Sequence, residues 1–325
     1  MGCKQEIKKD LIDISTISEK VNFVRFDEMV FGKDNSSDSY LDSIFSSHPV
    51  FSQLYLNRIM GFPIDSSRAF LQEMMASNSI NRLYDTTTQI LSNWPEIESE
   101  LSNAIKRYKF LLPNRDMPTV FTLISEFSIG NFIFPDLNGK DALGISLDMY
   151  LGRDFPYTEM FPSTDAFSRY LTQYFDSKYL TRKVIFTLLD DLLGPDPGPK
   201  LIDNIIHNGK KLYLLDKCLE APDSILHEYS KEQLDWCKEN EFNIWEFFID
   251  ENLLYSSNLV KIGKYTDPAP SSSGMPSSAP GRTGSWIGLQ IIKQYMSRNP
   301  TITTSDLLKN LNSQEILEKS KYKPK

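Results

Sequence analysis

The sequence predicts an α+β protein that is mostly α-helical, with one small β-sheet near the middle of the chain. Three observations carry this. Three short segments rich in aromatic and β-branched residues, TVFTLIS, GNFIF and ALGISLD, lie between residues 119 and 148. On either side of them apolar residues recur at helical spacing. The chain is also large enough for a sizeable core, with 325 residues of which 40% are hydrophobic and 12% aromatic.

The elements follow in order. From Tyr40 to Met60, Leu41, Ile44, Phe45, Phe51, Leu54, Tyr55 and Ile59 keep near-helical spacing, and His48-Pro49 interrupts them, so two short helices are expected. Asn93-Trp94-Pro95 opens another, because proline suits a first helical turn. Glu96, Glu98 and Glu100 lead that helix and Lys106, Arg107 and Lys109 close it, an order that complements the helix dipole. After Pro113 the period changes: ALGISLD alternates Leu143, Ile145 and Leu147 with smaller or polar residues, as a strand does. Phe167, Tyr170, Leu171, Tyr174 and Phe175 then predict one helix, and Leu180, Val184, Ile185, Leu188, Leu189 and Leu192 a second, ended by the loop GPDPGPK. Leu201 to Leu219 is again helical. Ser230 and Gln233 have capping-box spacing and are expected to begin a long helix through Leu234, Cys237, Ile244, Trp245 and Phe248. Thr266 to Gly284 is rich in Pro, Ser and Gly and reads as a loop between helices, since too few residues follow it for an independent domain. Helices over Trp286–Ser297 and Ser305–Leu311 complete the chain, the last capped through Thr303 and Asp306.

Composition excludes several classes. A net charge of -8 argues against neutralising nucleic-acid phosphates, and the basic KSKYKPK is read as a solvated end. Three cysteines allow at most one disulfide, and Cys218 and Cys237 sit in apolar helical patterns where a thiol acts as a small hydrophobe. No run of 18 apolar residues offers a membrane span. No hydrophobic segment of a signal peptide is visible, so the chain is cytosolic or its export segment lies outside this sequence.

Chemical motifs are scarce. His48, His207 and His227 are far apart, there is no HExxH, and none stands at metal-ligand spacing. Neither G-x-S-x-G nor G-x-x-x-x-G-K-[ST] occurs, and GRTGSWIG is only superficially a phosphate loop because no strand leads into it. Asp190-Asp191 reads as the wet face of a helix. Trp245 is expected in the core. For Trp286 a core position and a groove-lining position are equally open.

Four stretches, ALGISLDMYLGRDFPY, GKKLYLLDKCL, YSKEQLDWCKENEFNIWEFFIDENLLYSS and PGRTGSWIGLQIIKQYM, resemble the gliding-motility lipoproteins of the GldB type. The resemblance runs from about Met117 to Leu311, and VNFVRFDEMVF extends it towards the N-terminus. It implies an exported bacterial envelope protein with its signal peptide removed. Cys3 would then be the lipid-bearing residue after a lipobox glycine. N-myristoylation at Gly2 competes poorly, because its motif wants Ser or Thr where this chain has Glu6. The family is distantly similar to HExxH zinc peptidases, implying a zincin-like architecture. Here RYLTQYF and VIFTLLDDLL offer no histidine where the ligands would stand, so the architecture is expected without the zinc site or catalysis.

The resulting expectations are concrete. Residues 1–20 form a lipidated tether and 21–325 a single domain, helical over 21–113 and a small sheet followed by helices over 114–325. The protein is expected to be a non-enzymatic envelope lipoprotein without cofactor or metal. It would contact the membrane through its lipid, as well as other proteins of a motility or secretion assembly. The alternative is a degenerate peptidase or peptide-binding protein. If a cleft exists, Asp148 on the third strand, Glu246 on the long helix, Arg282 at the loop end and Trp286 are expected to face it.

Overall fold

The computed structural model describes residues 11–32, 37–195 and 198–325; Cys3 lies outside them. Among the described residues there are seventeen α-helices and one four-stranded sheet, so the chain is mostly α with a small sheet. It folds as two compact units that interleave in sequence. One comprises residues 18–102 and 114–187, and the other 103–113 and 188–325 with the described residues up to Ile17.

The first unit opens with β1 (Phe23–Arg25) and α1 (Phe26–Phe31), then α2 (Asp38–Ser47) and α3 (Pro49–Gln53). The break between α2 and α3 falls where His48-Pro49 was expected to make it, with Pro49 in the first turn of α3. A π-helical segment, Leu54–Ile59, extends α3 and buries Tyr55 and Leu56. α4 (Ser67–Ala76) and α5 (Asn78–Ile90) follow, then α6 (Trp94–Leu111), whose residues from Asn103 onward belong to the other unit. α6 buries Trp94, Ile97, Leu101, Ala104, Ile105 and Tyr108, a stripe at three- and four-residue intervals.

The three expected strands are present as β2 (Thr119–Leu123), β3 (Asn131–Pro135) and β4 (Asp141–Ser146), and β1 is a fourth that three residues of sequence did not reveal. The order is β1-β2-β4-β3, with β2 parallel to β1 and β4, and β3 antiparallel to β4. A turn at Asp136 joins β3 to β4: its Oδ1 accepts from the N–H groups of Asn138 (2.7 Å) and Lys140 (2.9 Å), an Asx-type closure. Phe132 pairs with Gly144, and its ring lies where a side chain at Gly144 would be, 2.2 Å from that Cβ position. Phe51 stacks on Phe121 at 4.4 Å, with Phe26 edge-on at 4.9 Å and Phe134 tilted at 5.3 Å, so the sheet carries an aromatic core on this face.

A second apolar cluster gathers Phe127, Leu151, Tyr157 and Phe167. Here the expected helix over Phe167–Phe175 is corrected. A 3₁₀ turn at Asp165–Phe167 leads into α8 (Arg169–Thr172), after α7 (Tyr157–Met160), and the run is not one helix. Packing around Tyr157 overrides the periodicity, with Phe175 edge-on to its ring at 5.2 Å and Phe167 at 6.1 Å. α9 (Leu180–Leu193) follows, its residues from Leu188 onward belonging to the other unit.

The second unit is built on α10 (Leu201–Cys218). It continues with α11 (Asp223–His227), α12 (Lys231–Glu239), α13 (Glu241–Asp250), α14 (Leu259–Ile262), α15 (Thr283–Arg298), α16 (Thr304–Lys309) and α17 (Ser313–Ser320). The capping boxes expected at Ser230 and Thr303 both form. The long helix from Ser230 does not: Asn240 leaves helical geometry and separates α12 from α13, its side-chain amide donating to the Trp236 carbonyl at 2.9 Å. α10 and α15 cross backbone to backbone. A Cβ at Gly209 would stand 2.4 Å from the Gly288 carbonyl, and one at Gly288 would stand 2.0 Å from the Ile205 oxygen. Around this crossing Leu201, Ile205, Ile287, Ile291, Phe248 and Ile316 are buried together.

Candidate functional site

Each parallel strand is followed, two residues past its end, by a buried polar side chain: Asp27 after β1, Ser125 after β2 and Asp148 after β4. The carboxyl ends of parallel strands are where open sheets usually place ligand groups. Here the fold uses them internally. Asp27 is bound by Arg25 at 2.7 Å and by the Thr122 hydroxyl. Asp148 lies in a 3₁₀ turn, Leu147–Tyr150, just beyond β4, which corrects its expected place on the strand itself.

The Asp148 carboxylate organises the loop after β2. It accepts from the backbone N–H groups of Phe127 (2.6 Å) and Ser125 (3.1 Å) and from the Ser125 hydroxyl (3.3 Å). To aim those donors inward the backbone takes two successive left-handed residues, Glu126 at φ 52° and Phe127 at φ 63°. Tyr55 secures the same loop by donating to the Ile124 carbonyl at 2.9 Å. Tyr157 donates to the Asp148 carbonyl and accepts from the Leu151 N–H, both at 2.9 Å. Burial pushes the Asp148 carboxyl up to about 6, against the opposing pull of the Phe127 and Ser125 donors. Its side chain is 0% exposed, so its hydrogen-bonding capacity goes to the loop rather than to a solute.

The second unit brings two expected residues together. Arg282, at φ 61°, precedes α15 and donates to a Glu228 carboxylate oxygen and the His227 carbonyl, both at 2.8 Å. Glu228 is itself left-handed, at φ 51°, and ends α11. Tyr229 donates to the Gly281 carbonyl at 2.6 Å, and the Arg282 guanidinium lies 5.8 Å from its ring centre. Trp286, one turn into α15, packs its indole 4.8 Å from the His227 ring. Trp286 is 4% exposed, which resolves the two open readings in favour of the core, and its Nε1 is buried without a hydrogen-bond partner among the described residues. His227, Glu228 and Tyr229 were not legible as partners of Arg282, because more than fifty residues separate them and no local pattern marks the pairing.

Glu246 is not part of this group. It stands exposed on the outer face of α13, whereas Trp245 is half-buried against Tyr322 at 5.2 Å. Asp148 belongs to the other unit. Asp190 and Asp191 are exposed, as expected, and Asp190 pairs with Lys211 at 2.6 Å. His207 approaches the Gly194 carbonyl at 3.1 Å, and burial, with the Lys211 charge, pulls its imidazole down to about 4. The Cys218 and Cys237 thiols are each pushed up to about 12 by burial, in keeping with inert core positions.

Among the described residues no group of three or more His, Cys, Asp or Glu side chains is placed to hold a metal ion, and no helix is long and apolar enough to cross a membrane. No match was found among curated proteins or solved structures. The family model for the gliding motility protein GldB matches residues 7–324, nearly the whole chain, and the chain therefore belongs to that family.

Proposed function

We propose that this protein is a cell-envelope lipoprotein, held at a membrane through Cys3, that acts by contacting other proteins of a gliding-motility machinery rather than by turning over a substrate. The family match over residues 7–324 supports the setting. What supports interaction over catalysis is the fate of Asp148. It is the described carboxyl group raised to about 6, the kind of shift that marks general acids and bases, yet it is fully enclosed and saturated by its own loop. Arg282, another charged group singled out from the sequence, is likewise engaged by Glu228 and the His227 carbonyl.

The test is complementation of surface motility in cells lacking the chain. Wild type is expected to restore movement and Cys3→Ala to fail. Cys3→Ala fused behind an unrelated membrane-spanning helix is expected to restore it, since only tethering is required. Full activity of the untethered Cys3→Ala chain, or hydrolysis of peptides by the purified protein that is lost in Asp148→Asn, would overturn the proposal.

A further inference from the structure

The second unit carries a groove that none of the preceding roles uses. It is an open trough of about 620 Å³ between the outer face of α15 and the segment after α17. That volume lies within the roughly 300–1,000 Å³ range of pockets that take ligands. Its cations come from both walls: Lys293 and Arg298 from α15, and Lys323 and Lys325 opposite. The amides of Gln290 and Gln294 lie along α15 between them. In a chain of net charge -8, this concentration of positive charge is local and against the trend.

The far wall is fastened in place. Tyr322 donates its hydroxyl to Glu241 at 2.9 Å, packs edge-on against Trp245 at 5.2 Å, and donates its backbone N–H to the Ser320 hydroxyl oxygen at 3.1 Å. Gln294 donates across the trough to the Lys323 carbonyl at 3.4 Å. Glu241 is the acidic member of the lining, and its Tyr322 contact binds it to the wall. Lys293 shares its charge with Asp216 at 3.1 Å, so the exposed side chains of Arg298, Lys323 and Lys325 carry most of the trough's outward field.

We infer that this trough docks an extended acidic segment of a partner polypeptide. Carboxylates would meet Arg298, Lys323 and Lys293. The Gln290 and Gln294 amides each give one donation within the protein, to the Trp286 carbonyl at 3.5 Å and the Lys323 carbonyl at 3.4 Å, and their second N–H and carbonyl oxygen suit the C=O and N–H groups of an extended backbone. The trough's concavity fits a chain better than the flat face of a bilayer. A wall already fixed by Tyr322 lowers the ordering cost of binding.

The test uses the whole chain and four probes: a fluorescent Glu-Ala repeat octapeptide, its Gln-Ala counterpart, inorganic polyphosphate, and vesicles containing phosphatidylglycerol. Saturable binding of the Glu-Ala peptide is expected, suppressed by salt, with none for the Gln-Ala peptide. Arg298→Glu with Lys323→Glu is expected to weaken it by roughly tenfold or more at an unchanged melting midpoint, since both side chains are exposed. Gln290→Ala with Gln294→Ala is expected to weaken the peptide several-fold. Failure of the peptide to bind, an unaffected charge-reversal variant, or binding of polyphosphate or vesicles as tight as the peptide's would overturn the inference. None of these outcomes bears on lipidation at Cys3.

Discussion

Asp148 combines a raised carboxyl with complete burial and internal hydrogen bonds. Its carboxyl is raised to about 6 from an ordinary 3.8, so the folded state holds a proton that the unfolded chain releases between those values. The associated stability is complete below about pH 3.8 and is lost as pH rises through about 6, a change on the order of 3 kcal/mol. The difference in stability between wild type and Asp148→Asn, read by urea denaturation from pH 4 to 7.5, is therefore expected to move against wild type as pH increases. Other titrating groups cancel in that difference. His207 acts in the opposite sense. Its imidazole is lowered to about 4, so its share of stability is present above its ordinary 6.5 and lost as pH falls towards 4. At Arg282 the expected loss is electrostatic: Arg282→Ala leaves Glu228 buried without its cation and costs about 3 kcal/mol by the same denaturation measurement.

Among elements, those legible in the sequence are the ones whose signal is local. The Ser230 and Thr303 capping boxes form as spaced, and the His48-Pro49 break and the start of α6 fall as read. Elements set by distant contacts were not legible. β1 is three residues long, too short to show a period, and exists because Phe23 and Arg25 align beside Val120 and Thr122. The helical spacing of Phe167–Phe175 was real but served to pack rings around Tyr157. The α10–α15 crossing likewise depends on two glycines more than seventy residues apart. Gly288→Ala is expected to force the helices apart and cost about 3 kcal/mol or more, seen as an early loss of helical circular dichroism on heating. Ser230→Ala is expected to cost only about 1 kcal/mol by the same reading, because it removes a single exposed cap.

In the whole molecule, the sequence carried the fold class and the family more readily than the arrangement of polar groups. A small sheet among helices follows from composition and period. That Asp148 would be enclosed by a left-handed loop, or that Arg282 would meet Glu228, follows from tertiary closure and has no counterpart in spacing. With those groups occupied internally, the proposed role rests on where the protein is held and on what its surface contacts. Metabolic labelling with an alkyne fatty acid, followed by membrane fractionation of cells making the chain with its export signal, tests this most directly. Wild type is expected to carry label and sediment with membranes, while Cys3→Ala is unlabelled and released. A wild-type chain that is unlabelled and remains in the soluble fraction would contradict it.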